Sequence, residues 1–150
     1  MIEFRFEAKE ELVEEMINPI VDALTSFGAT HKCVYQVNLA LEEVLVNVAK
    51  YAYKDGNGMI DISYEINENK LKVVIKDKGT AFNPLNKEDP DLTASINERQ
   101  IGGLGIYLLK KMVDELKYQR IDNENVLEFT KIIELEEKQW ISKTEKTEAN

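Results

Sequence analysis

Met59-Ile-Asp-Ile-Ser-Tyr-Glu-Ile66 and Leu71-Lys-Val-Val-Ile-Lys-Asp77 flank the short polar bend Asn67-Glu-Asn69. Apolar residues recur at every second position in both runs, so each reads as a strand with one buried face, and the two together read as a β-hairpin. Upstream, Asp55-Gly56-Asn57-Gly58 makes a turn. Before that turn, Val34, Val37, Leu41, Val44, Val48 and Tyr51 recur three and four apart, the strongest helical stripe in the chain, with Thr30 placed to cap its start.

Working outward, Ile2, Phe4 and Phe6 alternate with Glu3, Arg5 and Glu7, predicting a first strand over residues 2–7. Leu12, Met16, Ile20 and Leu24 predict a helix from Lys9 to about Phe27, stopped by Gly28. Pro19 lacks a helical N–H, so a kink or break is expected near Asn18. Residues 79–101 are polar and carry Pro84, Pro90 and a run of acids; a connection this long in a compact domain is a functional loop or a disordered one. A helix is expected from about Leu104 to Leu116, then strands near 117–121 and 126–135, turning at Asp122-Asn-Glu-Asn125. The order β-α-α-β-β-loop-α-β-β predicts an α+β two-layer sandwich, a mixed and mostly antiparallel sheet with helices on one face. Residues 1–135 form the expected domain; 136–150, with Trp140, form a charged, flexible tail.

Bulk composition narrows the function. With 150 residues, 43% hydrophobic and 31% charged, the chain suits one soluble globular domain. No apolar run approaches the roughly 20 residues of a membrane span. A net charge of −9 argues against a direct nucleic-acid partner. The acidic, alternating N-terminus is no signal peptide, so the cytoplasm is the expected compartment. Cys33 is the sole cysteine, which excludes an internal disulfide and a cysteine-built zinc site; it reads as buried packing, and the sole histidine, His31, as surface.

Three motifs carry chemistry. Glu43, Asn47 and Lys50 lie at i, i+4 and i+7, on one helical face beside the apolar stripe. Asn gains nothing in mid-helix unless it contacts something, and its neutral oxygen suits Mg²⁺ with water and phosphates completing the shell. Glu43, one turn earlier, could take a proton from an attacking hydroxyl or orient a water. Taken alone, a solvated face with a Glu–Lys pair explains this motif better. Asp77-Lys78-Gly79 follows a strand: a carboxylate there can accept from an exocyclic amine such as adenine's, Gly79 lets the backbone approach a flat ring, and Phe82 can wall the pocket. A plain Asp-x-Gly turn is the bland alternative. Gly102-Gly103-Leu104-Gly105 opens a helix, although each glycine costs roughly 1 kcal/mol against alanine. Gly105 is expected in the first turn, where free N–H groups can bind phosphate; a hinge is the alternative. The pattern is neither a Walker loop nor a Rossmann fingerprint.

In this order, the three motifs resemble the N, G1 and G2 boxes of the gyrase–Hsp90–histidine kinase–MutL ATPase superfamily. Leu41-Glu-Glu-Val-Leu-Val-Asn-Val-Ala-Lys-Tyr-Ala-Tyr53, Asp77-Lys-Gly-Thr-Ala-Phe-Asn-Pro84 and Ile101-Gly-Gly-Leu-Gly-Ile-Tyr-Leu-Leu-Lys-Lys-Met-Val-Asp-Glu-Leu116 look like the bacterial anti-sigma factor serine kinases, over about residues 2–135. The resemblance implies a Bergerat-type fold that binds ATP and Mg²⁺, holds a sigma factor inactive, and phosphorylates a STAS-domain antagonist on serine or threonine. It implies Glu43 as base, Asn47 as Mg²⁺ ligand, Asp77 as the adenine reader and Gly79 along the base. Gly103 and Gly105 would cradle phosphates, and Arg99 would contact the terminal phosphate. Lys50, Phe82, Gly102 and Leu104 join the expected nucleotide site. One departure is Tyr51-Ala52-Tyr53 where many relatives carry His-Ala-Tyr; Tyr51 reads as core or pocket wall. A homodimer through the first strand and helix is a further expectation. The rival function is a nucleotide-binding adaptor without phosphotransfer; a detached histidine-kinase catalytic domain ranks below it, since a phosphoacceptor helix is missing and His31 is poorly placed.

Overall fold

A computed structural model describes residues 1–86 and 101–137. The chain forms β1 (Ile2–Glu7), α1 (Val13–Phe27), α2 (His31–Tyr51), β2 (Met59–Asn67), β3 (Lys70–Asp77), α3 (Ile101–Met112), β4 (Glu115–Ile121) and β5 (Glu124–Ile132). Among the described residues, five strands make one sheet in the order β1-β2-β3-β5-β4, and three α-helices cover one face, giving the expected α+β two-layer sandwich.

The β2–β3 hairpin sits at the centre, with Ile62 opposite Ile75 and Tyr64 opposite Val73. Every pairing in the sheet is antiparallel, so the mixed sheet expected is not found. β3 and β4 do run in the same direction, but β5 lies between them. The α3 crossover thus delivers β4 to the sheet edge instead of against β3.

Local chemistry explains the helix ends. Thr30 caps α2, its side-chain oxygen accepting from Cys33 N at 3.1 Å. Gly28 ends α1 at φ 102°; its N–H reaches Thr25 O at 3.1 Å while Ala29 N reaches Leu24 O at 3.0 Å, a Schellman closure. The break expected near Asn18 is absent: α1 runs unbroken through Pro19. Pro19 removes one bond only, to Glu15 on the exposed face, while Met16, Ile17, Ile20 and Leu24 on either side are anchored in the core.

α3 begins three residues before and ends four residues before the expected bounds. Leu116 belongs to β4, opposite Phe129, because Asp114 ties the chain to β5: its N–H donates to Thr130 O at 2.9 Å, and its Oδ2 accepts from Ile132 N at 2.7 Å. The last hairpin turns on Asp122 and Asn123, both left-handed at φ 51° and 63°, so β5 starts at Glu124 and Asn125 is a strand residue. β5 ends at Ile132; beyond it, Leu135 makes only an isolated bridge to Ala29. Trp140 and most of the expected tail lie outside the described residues.

The core lies between sheet and helices. Met16, Ile20 and Leu24 of α1, Val37, Leu41 and Leu45 of α2, and Leu109 of α3 are fully buried against Ile60, Ile62, Leu71, Ile75 and Phe129. Cys33 is buried there and His31 is exposed, as their positions in the pattern predict. The opposite sheet face is charged, with Arg5 paired to Asp61 at 2.6 Å and Lys72 to Glu128 at 3.3 Å. At one end of the inner face the apolar rows give way to a polar one. Asp77 stands beside Asn125, and Asn125 beside Arg120, on β3, β5 and β4.

Candidate functional site

A cavity of about 450 Å³ opens over that polar row, between the sheet and helices α2 and α3. Val44, Asn47, Val48 and Tyr51 of α2 form one wall, and Ile106 and Leu109 of α3 another. Ile75, Asp77, Leu127 and Tyr118 form the floor, and Thr80 through Phe82 the rim. An apolar slot with a few convergent polar groups suits a flat, aromatic, partly polar ligand.

Asp77 is the buried anion of the site, 5% exposed. Its Oδ1 accepts twice, from Gly79 N at 2.9 Å and from Asn125 Nδ2 at 2.9 Å. Burial pushes its carboxyl above the ordinary aspartate range, against those two hydrogen bonds and the nearby Arg120 charge. The turn after it is fastened at several backbone groups. Lys78 N donates to Tyr53 Oη at 2.9 Å, and Tyr53 Oη donates to Met59 O at 2.6 Å. Thr80 N donates to Ala52 O at 2.7 Å, and Arg120 Nη1 donates to Gly79 O at 2.8 Å. Gly79 is needed here for room: a Cβ would overlap the Ala52 carbonyl.

Asn125 organises the floor. Its Nδ2 also donates to Thr80 O at 2.9 Å, while its Oδ1 accepts from Tyr118 Oη at 2.5 Å and from Phe82 N at 3.4 Å. Sequence reasoning left Asn125 in a turn and passed over Tyr118 and Arg120. A signal did exist: Asn is depleted in strands, and Asn125 stands two and four residues before the apolar Leu127 and Phe129, hence on the buried face.

On α2, Glu43 is half-buried one turn before Asn47. Burial first, and then the neighbouring Glu42, push the Glu43 carboxyl above its ordinary value, the direction that suits a proton acceptor near neutral pH. Gly105 faces it across the helix packing. Gly105 is the fifth residue of α3, past the four N–H groups that lack intrahelical partners. The first-turn place expected for Gly105 is therefore taken by Ile101 to Leu104, because the helix starts earlier. Gly102, Gly103 and Leu104 are described in backbone only. Lys50 is exposed and is not among the cavity walls. Phe82 stands at the rim, 46% exposed. Tyr51 is 69% exposed and is a pocket wall, not a core residue. Arg99 lies outside the described residues.

The donor set for a cation is sparse. Among the described residues no cluster of three or more His, Cys, Asp or Glu side chains could cage a metal. Asn47 offers one neutral oxygen at the cavity wall, which fits Mg²⁺ bound chiefly by phosphates and water.

Residues 6–131 match the family model described as histidine kinase-like ATPase domain. The chain is 32% identical over 142 residues to serine-protein kinase RsbW of Staphylococcus aureus strain MSSA476, covering 91% of this chain and 89% of that one; the strain MW2 protein matches equally. Among solved structures, the RsbU and RsbW domains of Rv1364c from Mycobacterium tuberculosis superpose with a TM-score of 0.59 at 12% identity, covering 89% of this chain and 33% of that one. The catalytic domain of histidine kinase ThkA gives a TM-score of 0.52 at 16% identity, over 91% of this chain and all of that one. At such identities these two likenesses speak for the fold alone. Among the described residues, no helix is long and apolar enough to cross a membrane.

Proposed function

The chain belongs to the histidine kinase-like ATPase domain family, and on that premise we propose that it binds ATP with Mg²⁺ and transfers the γ-phosphate to a serine or threonine of a protein partner. The observation that carries this reading is that Asn47, Asp77 and Phe82, far apart in sequence, wall one cavity, with Glu43 one helical turn before Asn47.

Adenine lies over the floor, its exocyclic amine donating to Asp77 Oδ2, the oxygen that Gly79 and Asn125 leave unused. The phosphates extend toward α2 and α3. Asn47 at the cavity wall would hold Mg²⁺, which would supply neutralisation of phosphate charge when bound. The acceptor hydroxyl oxygen bonds to the γ-phosphorus, the bond from that phosphorus to the β–γ bridging oxygen breaks, ADP leaves, and the hydroxyl proton passes to the Glu43 carboxylate. The chemistry is mostly positioning, which a site with its turn already fastened supplies.

The relatives named serine-protein kinase RsbW support a protein acceptor, and we place this chain in a partner-switching system. It holds a sigma factor, phosphorylates a STAS-domain antagonist, works as a homodimer and acts in the cytoplasm. Radiolabelled ATP, Mg²⁺ and a STAS-domain protein from the same genome test this. Wild-type chain transfers label, and Glu43→Ala binds ATP but transfers about 10²- to 10⁴-fold more slowly. ATP binding by calorimetry with no label on any captured partner would leave the adaptor function instead; full activity in Glu43→Ala would remove the base assignment.

A further inference from the structure

We propose that Gly105 is a positioning residue for Glu43: the side chain it lacks leaves the space in which the Glu43 carboxylate rests against α3. A Cβ built at Gly105 would overlap Glu43 Oε2, with Glu43 Cδ at 3.0 Å and Oε1 at 3.7 Å. The carboxylate therefore meets the α3 backbone end-on through Oε2.

Two facts separate this from an ordinary glycine in a helix. Gly105 has no left-handed backbone, so nothing in its conformation calls for glycine. It also stands beyond the first turn, where glycine costs about 1 kcal/mol against alanine and caps nothing. What the described residues place against that position is the Glu43 carboxylate. The obstacle to a methyl group there is the tip of a flexible side chain, unlike the rigid carbonyl of Ala52 that faces Gly79. Alanine at 105 would be accommodated by swinging Glu43 out of its place, with the helix intact. The base would then stand away from the hydroxyl it serves, and small misplacements of a catalytic group cost up to about 10²-fold in rate. The catalytic consequence rests on the kinase reading above; the positional claim does not.

The test uses the full chain as wild type, Gly105→Ala, Glu43→Ala and the double variant. Three readouts are taken: single-turnover transfer from radiolabelled ATP to a STAS-domain protein, ATP affinity by calorimetry, and the titration of Glu43 followed by carboxyl ¹³C NMR. Glu42 is the charged neighbour that raises the Glu43 carboxyl further, and it is unchanged in all four. Gly105→Ala should fold, with a Tm equal to or above wild type. Its transfer should fall about 10- to 100-fold, and the Glu43 titration should shift as the carboxyl leaves its packed place. In the Glu43→Ala background the same substitution should change transfer less than twofold, about the error of additivity. An equal loss in both backgrounds, which is what direct phosphate contact by Gly105 produces, overturns the proposal. So does an unmoved Glu43 titration. A wild-type chain that binds ATP and transfers nothing sinks the kinase reading alone, and the titration then decides the position of Glu43 by itself.

Discussion

Asn125 Nδ2 donates to Asp77 Oδ1 at 2.9 Å, across the β3–β5 pairing. With Gly79 N on the same oxygen, this bond determines that Oδ2 is the oxygen presented to a ligand. The amide cannot flip without placing its oxygen against the carboxylate, since Tyr118 Oη already donates to Asn125 Oδ1.

Asp77→Asn should therefore separate stability from binding. An asparagine oxygen can keep both bonds at Oδ1, while its amide nitrogen turns a donor toward adenine's own donor. ATP affinity should fall about 10- to 100-fold, from an unpaired contact of about 1–3 kcal/mol. Stability should rise at neutral pH. The folded-state pKa of Asp77 is raised, mainly by burial, so its contribution is full below the usual aspartate range near ~4 and is lost as pH climbs through the raised value. Thermal melts from pH 4 to 7 should show the Asn variant gaining on wild type as pH rises. A constant difference would mean Asp77 does not titrate as described.

Gly79→Ala should behave in the opposite way to Gly105→Ala. The added methyl meets the Ala52 carbonyl, so the backbone must move and the Thr80 N–Ala52 O bond is lost. A stability loss of about 1–3 kcal/mol is expected, together with lost ATP binding. Urea melts with an unchanged midpoint would exclude this packing.

Arg120→Ala removes the donor to Gly79 O and the positive charge that opposes the rise in the Asp77 pKa. Arg120 is exposed, so salt screens its charge. ATP affinity measured by calorimetry should drop about three- to tenfold at low salt, and the deficit should narrow at high salt. An equal deficit at both would mean that the charge plays no part.

Thr130→Val should stabilise the chain. Among the described residues, Thr130 Oγ1 is buried without a hydrogen-bond partner, and an isosteric methyl removes a desolvated hydroxyl while keeping a β-branched residue in β5. A gain of about 1 kcal/mol corresponds to roughly 2–4 °C in Tm. A lower Tm would show that the hydroxyl has a partner in solution.

Much of the fold was legible because its signals are periodic. The β2–β3 hairpin, the α2 stripe and the alternation of β1 all state their buried face in local sequence. What escaped was set by tertiary contacts. Pro19 stays helical because core residues hold both sides of it. α3 stops at Met112 because Asp114 bonds to β5, a partner that no local pattern reveals. In the site, Asn47 and Asp77 stood out as polar residues beside apolar stripes. Asn125 hid behind Asp122 and Asn123, which read as one long turn, and Arg120 carried no signal of its own. Its role depends on the carbonyl of a residue 41 positions away.

The position of β5 sets the order in which a new chain can become competent. The last of the described strands in sequence, β5 is an inner strand in space, seated between β3 and β4. A polypeptide emerging from the ribosome through Met112 carries Glu43, Asn47, Asp77, Gly79 and Gly105. Yet its β3 still shows an open edge, and Asp77 lacks Asn125. On the proposed reading of the site, binding competence arrives only as β5 inserts, and until then the bare edge of β3 is open to pairing with another nascent copy.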